Sequence, residues 1–140
     1  LLATVREATG VVGPFVVPGR TACLRCLDLH RTDRDPAWPL IAAQLSSQGR
    51  RRAVDACDIG LATLVASITS LQVLAAIDAG TRPGTDPLST ESPHLATHDG
   101  TLELALPDWR LRRRRWRPHP ACGCQWPVGG SDATTAHPSQ

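Results

Sequence analysis

Two close cysteine pairs, near opposite ends of the chain, constrain its fold more than any other feature. They are Cys23-Leu24-Arg25-Cys26 and Cys122-Gly123-Cys124, with 95 residues between them. Four thiolates complete a tetrahedral zinc site. The first pair has the spacing of a metal knuckle, where a tight turn faces both sulfurs toward one ion. The second pair is tighter. On a regular strand, residues i and i+2 stand roughly 7 Å apart, whereas sulfurs on one zinc are about 3.7 Å apart. Gly123 can adopt the folded-back backbone that closes this gap. Cys23, Cys26, Cys122 and Cys124 are therefore read as ligands of a structural zinc that staples the two ends together. Such a closed site leaves no coordination position for a substrate, so it does not argue for catalysis. A redox dithiol at Cys23 and Cys26 is the competing reading, but neither the flanks nor the element order suggests a thioredoxin unit. Simple buried thiols are the third reading.

The number of cysteines sets the compartment. There are five, an odd number, and no secretory segment precedes them. Both facts argue against a secreted disulfide framework and for a reducing, cytoplasmic location. The fifth, Cys57, precedes a long helix. A helix N-terminus can activate a thiol, but Asp55 and Asp58 beside it act in the opposite direction, so a small buried residue is expected. His30 and His119 are candidate substitute ligands, read first as ordinary polar residues around the metal.

The chain's 140 residues make one domain or part of a larger one. It has no Met and begins at Leu1, which points to a fragment or trimmed product. Its 15 basic side chains are all Arg, which removes any phosphate-loop or Schiff-base lysine. A net charge of +2 is too balanced for a general nucleic-acid binder. With only 5 aromatic residues, the core must be aliphatic.

Along the chain, Val11, Val12, Phe15, Val16 and Val17 favour strand, broken by Gly13-Pro14 and Pro18-Gly19. They predict a short hairpin that delivers Cys23 and Cys26 at its end. A helical turn over 27–34 and a short helix over Trp38–Leu45 follow. Gln48–Arg52 reads as a basic loop. A long helix is predicted from about Asp58 to Ala79, capped by Asp55 or Asp58 and ended by Gly80. Its span Ile59–Ile77 has no charge over 19 residues. That length could cross a bilayer. However, Thr63, Ser67, Ser70 and Gln72 interrupt it, so a helix buried in protein is expected. The chain offers little to cover such a helix, which implies more of the same protein or a partner subunit. Residues 81–99 read as a flexible insert. Thr101–Trp116 reads as a hairpin with Leu102, Leu104 and Leu106 on one face and Trp109, Leu111 and Trp116 on its second strand. Residues 127–140 read as a disordered tail.

Arg112–Arg115 is a basic run. In a strand, alternate members point to opposite faces, so it reads as a solvated edge and not one four-Arg patch. No GxGxxG, GxxxxGK[ST], GxSxG or HExxH occurs, and no carboxylate pair is placed for acid–base work.

Three segments, GVVGPFVVPGRTACLRCLDLHR, ACDIGLATLVASITSLQVLAAIDAG and LPDWRLRRRRWRPHPACGC, resemble the C-terminal half of ThiF-type proteins. These are the HesA/MoeB/ThiF relatives of ubiquitin-activating enzymes. The wording is closest to actinobacterial members linked to thiazole/oxazole-modified peptide cyclodehydratases. The resemblance covers about residues 5–126 and implies an α/β, Rossmann-like fold and usually a homodimer. It also implies ATP with magnesium, adenylyltransferase activity on a C-terminal carboxylate, and a structural zinc on two cysteine pairs. The family's nucleotide-binding half lies before this region, so ATP, magnesium and every catalytic residue are not carried over. The expected partners are the missing N-terminal half or a second copy, with a precursor peptide or cyclodehydratase beyond them. The chain alone is expected to be inactive, with no membrane or nucleic-acid partner. The alternative is a zinc-stapled module without catalysis that binds a peptide or, less readily, nucleic acid, with 109–117 as its recognition strand.

Overall fold

A computed structural model describes residues 1–48, 57–81 and 95–125. The chain is mixed α/β, with a four-stranded antiparallel sheet in the order β1-β2-β3-β4 and three helices. Strands β1 (Ala3–Arg6) and β2 (Thr9–Val12) form a hairpin turned at Glu7, whose φ is 51°. Strand β3 (Gly100–Ala105) pairs with β2, and β4 (Arg110–Arg115) closes the sheet as an exposed edge. Among the described residues, no two strands of the sheet run parallel. The β–α–β units of a Rossmann-like fold are not among them.

The first hairpin therefore lies earlier than the valine runs predict, and it does not deliver the cysteines. Gly13, at φ 101°, and Pro14 end β2. Phe15–Val17 then leaves the sheet for a turn built on Thr21. The Thr21 hydroxyl accepts from the Val17 N–H at 2.7 Å and donates to the Phe15 carbonyl at 3.1 Å. That turn runs directly into α1 (Leu24–Arg34), a full helix where only a helical turn is predicted. Asp35 caps the C-terminus of α1 through its N–H. Its carboxylate and carbonyl then receive the Ala37 and Trp38 N–H groups, which starts α2 (Trp38–Gln48).

Helix α3 (Ile59–Gly80) opens on Asp58, whose carboxylate accepts the Leu61 N–H at 2.9 Å. It closes on Thr81 in right-handed conformation, so Gly80 is its last residue and not a left-handed cap. Leu61, Val65 and Ile68 recur at helical spacing and pack on Val12 and Leu104, with Val5, Leu102 and Leu106 around them. Gly10 allows this approach, since a Cβ there would lie 2.4 Å from Val65 Cγ2. Gln72 explains the polar break in the helix: its Oε1 accepts the N–H and the hydroxyl of Thr97, at 3.2 and 3.1 Å.

Ala79 is also buried, but the described residues leave the opposite face of α3 open. Ile59 is 81 % exposed and Leu71 64 % exposed, with Leu74 and Ile77 also open. The expected burial holds for one face only. The outer hydroxyls of Thr63, Ser67 and Ser70 donate to carbonyls one turn back, so that face offers few free polar groups. The helix is long and apolar enough to cross a membrane.

The two faces predict opposite outcomes. Leu61→Ala opens the core and should cost about 2–5 kcal/mol in denaturant unfolding, whereas Leu71→Ala should stay within about 0.5 kcal/mol of wild type. Equal losses would refute this packing.

Residues 95–99, the end of the expected flexible insert, pack against the fold. Leu95, Thr97 and His98 are buried, and the Phe15 N–H donates to the Thr97 carbonyl at 2.8 Å. Trp109, expected on the second strand, sits in the β3–β4 turn at φ 51°. Residues 49–52 of the basic loop, Asp55, residues 82–94 of the insert and the 127–140 tail lie outside the described residues.

Candidate metal centre

The CxxC spacing works here because it spans the first turn of a helix. Cys23 is the N-cap of α1 and Cys26 lies within its first turn, which brings the two sulfurs to 3.8 Å. The second pair arrives from β4. The chain leaves the strand at Trp116, and the Cys122 N–H donates to the His119 carbonyl at 2.9 Å in a tight turn. Gly123 then takes φ 69°, the left-handed backbone predicted for folding its two neighbours together. Cys122 Sγ lies 3.4 Å from Cys23 Sγ, and Cys124 Sγ lies 3.3 Å from Cys26 Sγ.

All four sulfurs lie within 4.8 Å of one another. Thiolates on one tetrahedral ion stand about 3.7 Å apart, and a disulfide requires about 2.05 Å. The cluster is thus four free thiols at metal-ligand separation. It can hold one metal ion. Cys26 is fully buried, and Ala22, Leu27 and Trp116 pack beside it.

The thiols are electrostatically unequal. Burial raises Cys23, but the Cys26 N–H and the neighbouring thiols outweigh it, bringing Cys23 down to about 7. Burial pushes Cys124 up to about 12, and the adjacent sulfurs push in the same direction. Burial likewise raises Cys122.

His30 and His119 are not in the four-sulfur cluster. The His119 N–H donates to Cys26 Sγ at 3.3 Å. Its Nδ1 accepts the Ala121 N–H, which places the ring proton on Nε2, and Nε2 donates to Asp33 at 2.9 Å. His30 Nε2 donates to the Arg117 carbonyl at 2.8 Å. Their ligand atoms and that of Asp33 also lie close together. These bonds, however, already occupy both His119 nitrogens and His30 Nε2. The trio braces the 117–122 segment against α1.

Cys57 departs from expectation. It is exposed, lies before the α3 cap, and its backbone forms a parallel bridge with Glu7. The arginine run alternates as a strand requires. Arg113 and Arg115 both reach Asp99, while Arg114 reaches Glu103 at 3.2 Å. Sequence reasoning missed Trp116 as the link between sheet and cluster. Its indole N–H donates to the Thr101 hydroxyl at 3.0 Å while its ring joins the packing around Cys26. The only signal was a lone tryptophan after the arginines. His98 and Asp99 carried no signal at all.

Compared with protein-family models, curated proteins and solved structures, the chain matches none.

Proposed function

We propose that this chain is the zinc-binding C-terminal portion of a ThiF-type activating protein in bacterial peptide or cofactor biosynthesis, and that it lacks an ATP site of its own. One observation carries the reading. Sulfurs from residues 23, 26, 122 and 124 converge at thiolate–metal spacing. A four-sulfur site of this kind suits zinc and is closed, so zinc here supplies folding energy and no chemistry. The order of elements agrees with the sequence resemblance: cysteine pair, long alanine-rich helix, hairpin, cysteine pair. The uncovered face of α3 is the surface that a nucleotide-binding half or a second copy would cover. ATP and magnesium belong to that other half, because this chain carries neither a glycine-rich phosphate loop nor a lysine. A precursor peptide or a cyclodehydratase is the partner class, in the cytoplasm.

The competing peptide-binding reading places recognition on 109–117. Three of the four arginines in the 112–115 run are already paired with Asp99 and Glu103, which leaves that strand little free charge to offer.

The coding sequence before Leu1, together with the neighbouring gene, tests the proposal. A strand–GxGxxG–helix segment is expected in one of them. Both parts together, and not this chain alone, should exchange pyrophosphate into ATP with a carboxylate-ended peptide present. A ribosome-binding site and start codon directly before Leu1, with no such partner gene, would overturn the reading.

A further inference from the structure

The four sulfurs of the cluster are not evenly spaced. Two contacts run between the chain's ends, Cys23 Sγ to Cys122 Sγ at 3.4 Å and Cys26 Sγ to Cys124 Sγ at 3.3 Å. Both are shorter than the 3.8 Å between Cys23 and Cys26. A disulfide requires about 2.05 Å, so each end-to-end pair must close by about 1.3 Å. Rotation of the cysteine side chains supplies a shift of that size. The partners are 99 and 98 residues apart in sequence. Bonds at these two places would join the same two segments that the metal joins.

Access to the thiols differs. Cys26 is fully buried, while Cys23, Cys122 and Cys124 are partly exposed. Each pair therefore has a sulfur that an oxidant from solvent can reach. Cys124 has a sheltered partner 3.3 Å away. A sulfenic acid formed there meets a thiol before it meets a second oxidant molecule. Cys57 lies outside the cluster and shares none of these contacts.

We propose that the cluster is a redox switch in which hydrogen peroxide replaces the metal by two disulfides, Cys23–Cys122 and Cys26–Cys124, so that the metal leaves while the ends stay joined. In each pair the accessible thiolate attacks the peroxide. An S–O bond forms, the O–O bond breaks, and hydroxide departs and takes a proton from solvent to become water. The partner thiolate then attacks that sulfur. The S–S bond forms, the S–O bond breaks, and a second hydroxide leaves as water in the same way. Each pair loses two electrons, and one peroxide gains them. Two peroxides and four protons thus give two disulfides, four waters and the free ion. The ion leaves because only the thiolate form of cysteine holds it. Disulfides in a reducing compartment are usually transient ones of this kind.

The test uses the zinc-loaded full chain carrying Cys57→Ser, treated with two equivalents of hydrogen peroxide and then alkylated. One zinc per chain should be released and all four thiols lost, with the circular dichroism of the folded chain retained. A chelator alone should remove zinc and fold together, so the two treatments separate loss of metal from loss of the staple. Tryptic mapping without reduction reads the pairing. Cleavage after Arg25 separates Cys23 from Cys26, and cleavage after Arg115 frees a peptide that holds Cys122 and Cys124. The Cys23 and Cys26 peptides should both be bonded to that third peptide. Fragmentation between Cys122 and Cys124 should assign Cys23 to Cys122 and Cys26 to Cys124. A dithiol with added zinc should restore the four thiols and the bound metal. Cys23 bonded to Cys26, the crossed pairing, sulfinic acids in place of disulfides, or unfolding on oxidation would overturn the proposal. Zinc that stays bound under peroxide, or a starting chain that carries none, would do so too.

Discussion

Cys122→Ser should strip the metal and the fold together. The wild-type chain is expected to carry one zinc, with four thiols protected from modification until a chelator is added. Structural zinc supplies about 10–16 kcal/mol of apparent binding free energy at pH 7. The rest of the described fold is modest by comparison. The core around α3 contains four buried residues, Val12, Leu61, Val65 and Leu104, and the second cluster contains Ala22, Cys26, Leu27 and Trp116. The second cluster is built on the cysteines themselves, so losing the metal removes its support, and Trp116 passes the loss to the sheet through Thr101. Metal content and circular dichroism measured on the same preparation read the two losses at once. Cys57→Ser is the control. That thiol is exposed and outside the sulfur cluster, so zinc and fold should survive its removal. Zinc that persists in Cys122→Ser, or none in wild type, would break the link between the chain's two ends and the proposed function with it.

The four-cysteine cluster is legible in the sequence because cysteine spacing reports local geometry. Three residues apart on a helix start, or two apart around a left-handed glycine, bring sulfurs together whatever the rest of the chain does. The capped helix and the β3–β4 hairpin are legible for a similar reason, since Asp58 and the leucine alternation act over short range. The first hairpin is displaced from its expected place because Val11, Val12, Val16 and Val17 share strand propensity, while Gly13 and Thr21 decide where pairing stops. The contacts of the 95–99 segment are not legible in the sequence. They are tertiary: Gln72, 25 residues away, holds Thr97, and Asp99 receives two arginines from β4. No local pattern reports such bonds. Residue type alone suggests a buried Cys57, but its position is set by the Glu7 bridge.

Trp116→Ala tests whether sheet and metal cluster form one cooperative unit. The indole is nearly buried. It donates to the Thr101 hydroxyl on β3 and packs with Ala22, Cys26 and Leu27 under the ligands. The side chains of Arg31, Arg34 and Arg114 lie within 5.6 Å of its ring centre, so its removal also leaves three cations without that aromatic contact. Truncating a buried tryptophan costs about 3–5 kcal/mol, which should appear as an early urea transition even with zinc in excess. Zinc should also yield to a weaker chelator, because a metal that binds only the folded state loses affinity when that state is destabilised. Trp116→Phe separates the two contributions. It keeps most of the packing and loses the hydrogen bond, and Thr101 still reaches Glu103 at 3.1 Å. Its loss should therefore be about 1 kcal/mol, typical of one neutral hydrogen bond. If Trp116→Ala instead lowers stability while zinc affinity is unchanged, the sheet and the metal cluster are independent units. The staple would then hold the chain's ends without supporting the sheet between them.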